Sequence, residues 1–294
     1  MRVVITADAV AGLSPAAASA LIARAFSDRG AQVAVVPLGV SGEPLREALE
    51  ALAPRTDVVR PDDAAALRQV LQSDRSPLVD LTGTAAPELQ GLAAALGTDP
   101  GVALEDARER WADRDLVALV PEEDVALPLV GLNGLAATQG RRAGDDLSTV
   151  LARDAEAERW ATSLGLDPTL PGAGAAGGLG LLVQALGGRM TDPLTYLADV
   201  AGLADTMGAA DLVVTAAESL DFHAVGGPIV KRAVAMAGAA LRPAIAIVGR
   251  NFVSARELRL AGFEEAYPLG AAGEEPTPER LSEVAMRVAT TWSW

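Results

Sequence analysis

Short apolar runs rich in Val and Ile alternate with helical patterns from the first residues onward. This alternation constrains the fold more than any other feature of the chain. Residues 2–6, RVVIT, read as a buried strand. Ser14 and Pro15 then open the helical pattern PAAASALIARAFSDRG, which Gly30 closes. Residues 31–38, AQVAVVPL, read as a second strand. Two strands joined through a helix run parallel, so helices must cover the faces of the sheet. The alternation continues through GEPLREALEAL (helix), TDVVR (strand), PDDAAALRQVLQ (helix), SPLVDLTG (strand) and APELQGLAAALG (helix). DLVALVP and LPLVGL read as further strands, and GDDLSTVLARDAEAERWATSLG as the longest helix. In the final third, DPLTYLADVAGLADTMG, GPIVKRAVAMAGAAL, SARELRLAG and TPERLSEVAMRVATTW are helical patterns around the strands ADLVVT, PAIAIVG and FEEAYPL.

Composition narrows the class. The chain has 294 residues, enough for one large or two medium domains, and half of them are hydrophobic. Aromatics make up only 3%, so the core must be built from Ala, Val and Leu, which suits close helix–sheet layers. The net charge of −15 argues against a nucleic-acid groove, which needs clustered cations. With no cysteine and a single histidine, His223, disulfides, thiolate chemistry and a His-rich metal site are excluded. No apolar run reaches the roughly 18 residues of a membrane span, and the N-terminus does not read as a signal peptide, so a cytoplasmic protein without membrane contact is expected. Lys231 is the one lysine; every other basic residue is arginine.

The stretch LPGAGAAGGLGLLVQALGG, residues 170–188, carries the glycine spacing G-x-G-x-x-G at Gly172, Gly174 and Gly177. A dinucleotide fingerprint needs a strand immediately before it. Here a helical pattern and a proline-bounded loop precede it, so that reading is weak. Two readings stay open: free N–H groups at a helix start facing an anion, or glycines that let the helix pack close to a neighbour. Ligands of parallel α/β sheets bind beyond the carboxyl ends of strands. Those ends present Asp8, then Ser41 and Glu43, then Asn133, Thr138, Arg141 and Arg142, then Glu218, Asp221 and His223. Each alone is bland, and a lone Asp after a strand is more often a turn former; Asp221 and His223 have the spacing to pair as a base and its orienting group, and read equally as a polar turn before a helix.

Taken together, these segments resemble the type I glycerate kinases. ITADAVAGLSPAAASALIARAF is similar to that family's D-S-F-K-G-S-x-S-A opening, and PLGVSGEP to its M-A-D-G-G-E-G-T loop. GLNGLAATQGRR is similar to its G-x-G-G-S-A-T-N-D-G-G, and LPGAGAAGGLG matches its P-G-A-G-A-A-G-G-L-G nearly letter for letter. ADLVVTAAESLDFHAVGGPI followed by PAIAIVGR resembles its late strand, loop and strand. The resemblance implies a flavodoxin-like parallel-sheet domain, residues 1–53 plus 141–294, with a second, smaller α/β domain inserted at 54–140. It also implies ATP-dependent phosphorylation of glycerate with Mg²⁺. Asp8 and Asp221 are then the catalytic candidates. Arg141, Arg142, Gly172, Gly174, Gly177 and Lys231 are the anion or phosphate contacts, and Glu43 and Glu218 the metal candidates.

The departures fall on polar positions. The family's lysine of the first loop falls on Ala11, its aspartate of the second on Val40, the aspartate of TNDGG on Gly140 and the lysine of GK on Pro228. Phosphoryl transfer depends on positioning and on cations around the transferred group. The expectation is therefore a family member whose catalysis is lost or altered, with Mg²⁺ and ATP as cofactors only if it is active. The alternative is a pseudoenzyme binding a small anion or a partner protein; glycerate or a similar anion is the expected ligand, and a homodimer is compatible with the sequence.

Overall fold

The computed structural model describes residues 1–61, 64–73, 75–83, 100–221, 225–270 and 274–293. The chain forms two compact units, Met1–Pro54 with Leu194–Trp294, and Arg55–Pro193.

The first unit holds a five-stranded parallel sheet in the order β2-β1-β7-β8-β9. Its strands are β1 (Arg2–Ala7), β2 (Gln32–Val35), β7 (Leu212–Leu220), β8 (Ala244–Asn251) and β9 (Glu265–Pro268). Counted within the unit this is the 2-1-3-4-5 order of flavodoxin-like doubly wound sheets, and residues 55–193 enter between its second and third strands. One face is covered by α1 (Pro15–Ser27) and the C-terminal helix Pro278–Trp292. On that face Ile5, Val214, Ile245 and Ile247 meet Ile22, Phe26, Val284 and Val288, all fully buried. α1 forms where expected: the Ser14 hydroxyl accepts from the Ala17 N–H at 3.3 Å, and Pro15 occupies the first turn. Its buried residues Ala18, Ile22, Ala25 and Phe26 recur at helical spacing. The opposite face is covered by a helix spanning Gly227–Ala239, which lies against β7 and β1.

The second unit has a four-stranded parallel sheet, β3-β4-β5-β6. Its strands are Val58–Val59, Leu78–Asp80, Val117–Leu119 and Arg189–Thr191. Val79 and Ala118 are buried with Leu104 and Trp111 of the helix Pro100–Trp111, and with Leu179, Leu182 and Leu186 of the segment Ala175–Ala185 and its cap.

Four local expectations differ from the structure. The return to the first unit, expected at 141, comes after Pro193, because β6 pairs with β5 (Val117 with Arg189, Leu119 with Thr191) and keeps the chain in the second sheet. LPLVGL makes turns instead of a strand. Pro128 has no N–H to give a ladder, the Leu129 N–H goes to the Pro168 carbonyl at 2.9 Å, and the Leu127 carbonyl accepts from Gly174 at 2.9 Å. DPLTYLADVAGLADTMG is two helices, Pro193–Val200 and Leu203–Gly208, broken where Gly202 takes φ +56°. β7 runs five residues past Thr215, carried by the pairs Ser219–Arg250 and Leu220–Asn251. The expected helix APELQGLAAALG lies outside the described residues.

Candidate functional site

In the first unit the strand order reverses between β1 and β7, which places the ligand crevice at their carboxyl ends. Thr6 pairs with Thr215 and Ala7 with Ala216, and the Asp8 N–H donates to the Ala216 carbonyl at 2.8 Å. Asp8 is thus fixed at the mouth of the sheet. One of its oxygens accepts from the Ala9 N–H at 2.7 Å. The other lies 3.5 Å from the point where a side chain on Gly227 would begin. Burial pushes the Asp8 carboxyl above the ordinary carboxylate range, and the Ala9 N–H only partly offsets this. Facing it is the uncapped start of Gly227–Ala239, reached through three successive left-handed residues: Val225 (φ +46°), Gly226 (+84°) and Gly227 (+87°).

The loop after Asp8 closes on itself. Val10 and Leu13 exchange backbone hydrogen bonds of 3.3 and 3.0 Å around Ala11 (φ +55°) and Gly12 (φ +72°). Ala11 is 3% exposed, and its N–H donates to a Glu218 carboxylate oxygen at 2.9 Å. Glu218 therefore braces this turn. Gly249, opposite it, has no room for a side chain: a Cβ there would lie 2.5 Å from the Glu218 carbonyl oxygen and 3.2 Å from its carboxylate.

The other candidates of this unit are placed apart from that arrangement. Glu43 lies in the first turn of the helix Gly42–Leu52, exposed, with both carboxylate oxygens taken by Arg46. Lys231 sits one turn into Gly227–Ala239 and is exposed. Asp221 follows β7, and its carbonyl accepts from the Val225 N–H at 3.1 Å; His223 lies outside the described residues. Among the described residues no three carboxylate or imidazole groups converge. Glu43 is held by Arg46, and one Glu218 oxygen by the Ala11 N–H.

In the second unit Arg141 and Arg142 occupy the last turn of Leu135–Ala143, where cations complement the helix C-terminus. Arg141 folds back onto the Leu132 carbonyl (3.1 Å) and the Thr138 hydroxyl (3.3 Å). The glycine segment is held largely by close approach. A Cβ on Gly172 would lie 2.8 Å from the Val125 carbonyl oxygen, and one on Gly174 would collide with the Pro128 carbonyl. One on Gly180 would overlap the Gly172 carbonyl. Gly174 itself has φ −83°, so its requirement for glycine is steric. The left-handed residues are Gly172 (φ +82°) and the run Ala176 (+47°), Gly177 (+73°) and Gly178 (+102°). The Ala176 N–H donates at 3.4 Å to the carboxylate of Asp124, a residue the reading of strand ends had passed over. That reading had also passed over Asp80, at the end of β4, which is 3% exposed. One Asp80 oxygen meets Arg60 at 2.5 Å; the other accepts from the Thr82 N–H (3.0 Å) and hydroxyl (2.7 Å). The signal was present in PLVD, an apolar run ending in an acid at a parallel strand's carboxyl end.

Residues 79–292 match the glycerate kinase family, and the chain belongs to that family. It is 32% identical over 186 residues to the uncharacterized protein Mb2228c of Mycobacterium bovis and, to the same extent, to MT2261 of Mycobacterium tuberculosis. Each match covers 61% of this chain and 46% of the relative, so the chain spans about half the length of the curated relatives it matches. A crystal structure of a candidate glycerate kinase 2 from Salmonella typhimurium LT2 shares the fold. Its TM-score is 0.69 at 20% identity, covering 99% of this chain and 98% of that one. Among the described residues no helix is long and apolar enough to cross a membrane.

Proposed function

We propose that this chain binds a small organic anion of the glycerate type, and that ATP-dependent phosphotransfer to it is absent or slower by several powers of ten. The observation that carries this reading is the Ala11 turn. At the position where the resembled kinases place a lysine, the side chain is a buried methyl group on a closed turn, and the nearby Glu218 is spent on that turn's N–H. The anion contacts on this reading are the helix start at Gly227 and Lys231, in the first unit. Single charge-stabilising groups are each worth about 10² to 10³ in rate, so losing two lysines leaves little phosphotransfer.

ATP, with Mg²⁺, is what the family's reaction would bring to the site. Asp8 supports a second reading, a slow kinase. A half-buried carboxyl with a raised pKa at a switch-point crevice is suited to take a proton from a substrate hydroxyl. A coupled ADP-release assay with glycerate, ATP and Mg²⁺, alongside calorimetry with glycerate alone, separates the two. Glycerate binding in the millimolar range, about −4 kcal/mol, without ADP release supports the first reading. Turnover of about one per second or faster, an ordinary kinase rate, refutes it.

A further inference from the structure

β7 and β8 run on as a pair past the carboxyl end of β1. Ser219 pairs with Arg250 and Leu220 with Asn251, and the Phe252 N–H donates to the Leu220 carbonyl at 2.8 Å. Side chains alternate between the two faces of a strand. Ala7, Ala216 and Ile247 belong to the core beneath Pro15–Ser27 and Pro278–Trp292. Asp8, Ser219 and Arg250 lie an odd number of residues further on, so they fall on the opposite face, the one Gly227–Ala239 covers. The Asp8 oxygen beside Gly227 agrees with this placement. Arg250 is half-buried, and its Nε is withdrawn from water with no hydrogen-bond partner among the described residues. A buried guanidinium N–H left unpaired costs stability, so its retention calls for a partner from outside the chain.

We propose that Arg250 clamps the carboxylate of a short hydroxy acid whose hydroxyl is turned toward Asp8. This rests on the anion-binding reading above and names the cation that holds the acid. Asp8 follows Ala7, the partner of Ala216, so it stands level with Ala217 and Val248; Arg250 is two residues further along and two strands across. With strands about 4.8 Å apart and about 3.3 Å per residue, the two Cα atoms are about 12 Å apart. The arginine stem spans part of that distance, and a three-carbon acid fits between the guanidinium and the carboxyl, over Ser219. The guanidinium offers two parallel N–H groups that match a carboxylate's two oxygens. Asp8 accepts from a hydroxyl when ionised and donates to it when neutral. Lys231, exposed and one turn into its helix, is a flexible point charge without that fork.

Calorimetry on the full chain tests this, with glycerate, lactate and inorganic phosphate titrated in turn into the parent, Arg250→Gln and Arg250→Lys. Arg250→Gln is expected to weaken binding of both carboxylates by about tenfold to a hundredfold. Arg250→Lys, which keeps the charge and loses the fork, should recover only part of that. Because the Nε has no partner, ligand-free melts of Arg250→Gln should match or exceed the parent's. Equal carboxylate affinity in the parent and Arg250→Gln overturns the clamp and leaves the anion-binding reading standing. Lactate binding that needs Arg250, with no glycerate binding, supports the clamp and overturns glycerate as the ligand. A parent that binds neither carboxylate overturns both. A loss confined to phosphate assigns Arg250 to a phosphoryl group and overturns the carboxylate role. Full recovery in Arg250→Lys overturns the bidentate contact, and a clear drop in the melting temperature of both variants marks Arg250 as structural and overturns the proposal.

Discussion

Gly180→Ala separates the two readings of the glycine segment by stability alone. Within a helix, replacing glycine by alanine is ordinarily worth about 1 kcal/mol. Here the new Cβ would overlap the Gly172 carbonyl and lie 2.8 Å from Met190 Sδ. Met190 can swing aside, but the carbonyl cannot. It accepts from the Ala175 N–H at 2.9 Å, and the neighbouring Ala173 carbonyl accepts from Leu181 at 3.0 Å. Relief requires roughly 1 Å of backbone movement in a close-packed interior. Overpacking costs about 1–3 kcal/mol, and each backbone bond strained in the process adds about 1 kcal/mol. After the helix gain is subtracted, a net loss of about 2 kcal/mol or more is expected. Gly238→Ala is the control: it lies inside Gly227–Ala239, where an added Cβ meets nothing within 4 Å, and should gain about 0.5–1 kcal/mol. Urea unfolding of the three proteins in ligand-free buffer measures both. A Gly180→Ala variant as stable as the parent would refute the packing account and return these glycines to a role in binding.

Ala11→Lys is expected to destabilise the first unit without raising phosphotransfer, because the site is buried and left-handed; Ala11→Gly relieves the φ and should gain a few tenths to about 1 kcal/mol in the same denaturation assay. The hydroxyls of Thr6 and Thr215, register partners and fully buried, have no hydrogen-bond partner among the described residues, so Thr215→Val should stabilise by about 1 kcal/mol in urea unfolding. Asp8→Asn tests the raised pKa. In the parent, the stability that depends on a neutral Asp8 is fully present at low pH and is lost as pH rises through the raised value. The variant should therefore melt higher than the parent near neutral pH and equal it in acid; thermal melts across pH that stay parallel would count against this.

The strand–helix alternation made the first unit legible, because β1, β7 and β8 are long and rich in Val and Ile and its helices carry capping residues such as Ser14 and Thr277. The second unit was less so. Its strands are two or three residues long, too short for periodicity to register, and β6 (Arg189–Thr191) sits among glycines that spell a loop. Asp8 was found because it follows a clear strand. Asp124 was not, because what defines it is the distant Ala176 N–H, 52 residues away in sequence. Glu43 was chosen by its place after a strand, yet spacing along the helix hands it to Arg46.

Both units nonetheless repeat one arrangement. Asp8 stands near the left-handed run Val225–Gly227 in the first, and Asp124 against Ala176–Gly178 in the second. These are the carboxyls that burial holds above their ordinary range among the described residues; Asp146, Asp167, Glu257 and Glu279 are all held below it by hydrogen bonds. A lowered carboxylate contributes to folding at neutral pH, whereas a raised one costs stability there. Steric packing accounts for Gly172, Gly174 and Gly180, so the glycine spelling alone argues for neither catalysis nor its loss. The two raised carboxyls are the stronger clue, because packing does not require them, and residues kept at a cost to stability concentrate at functional sites. Of the two, Asp8 stands at a topological switch point, where ligands of parallel α/β sheets bind.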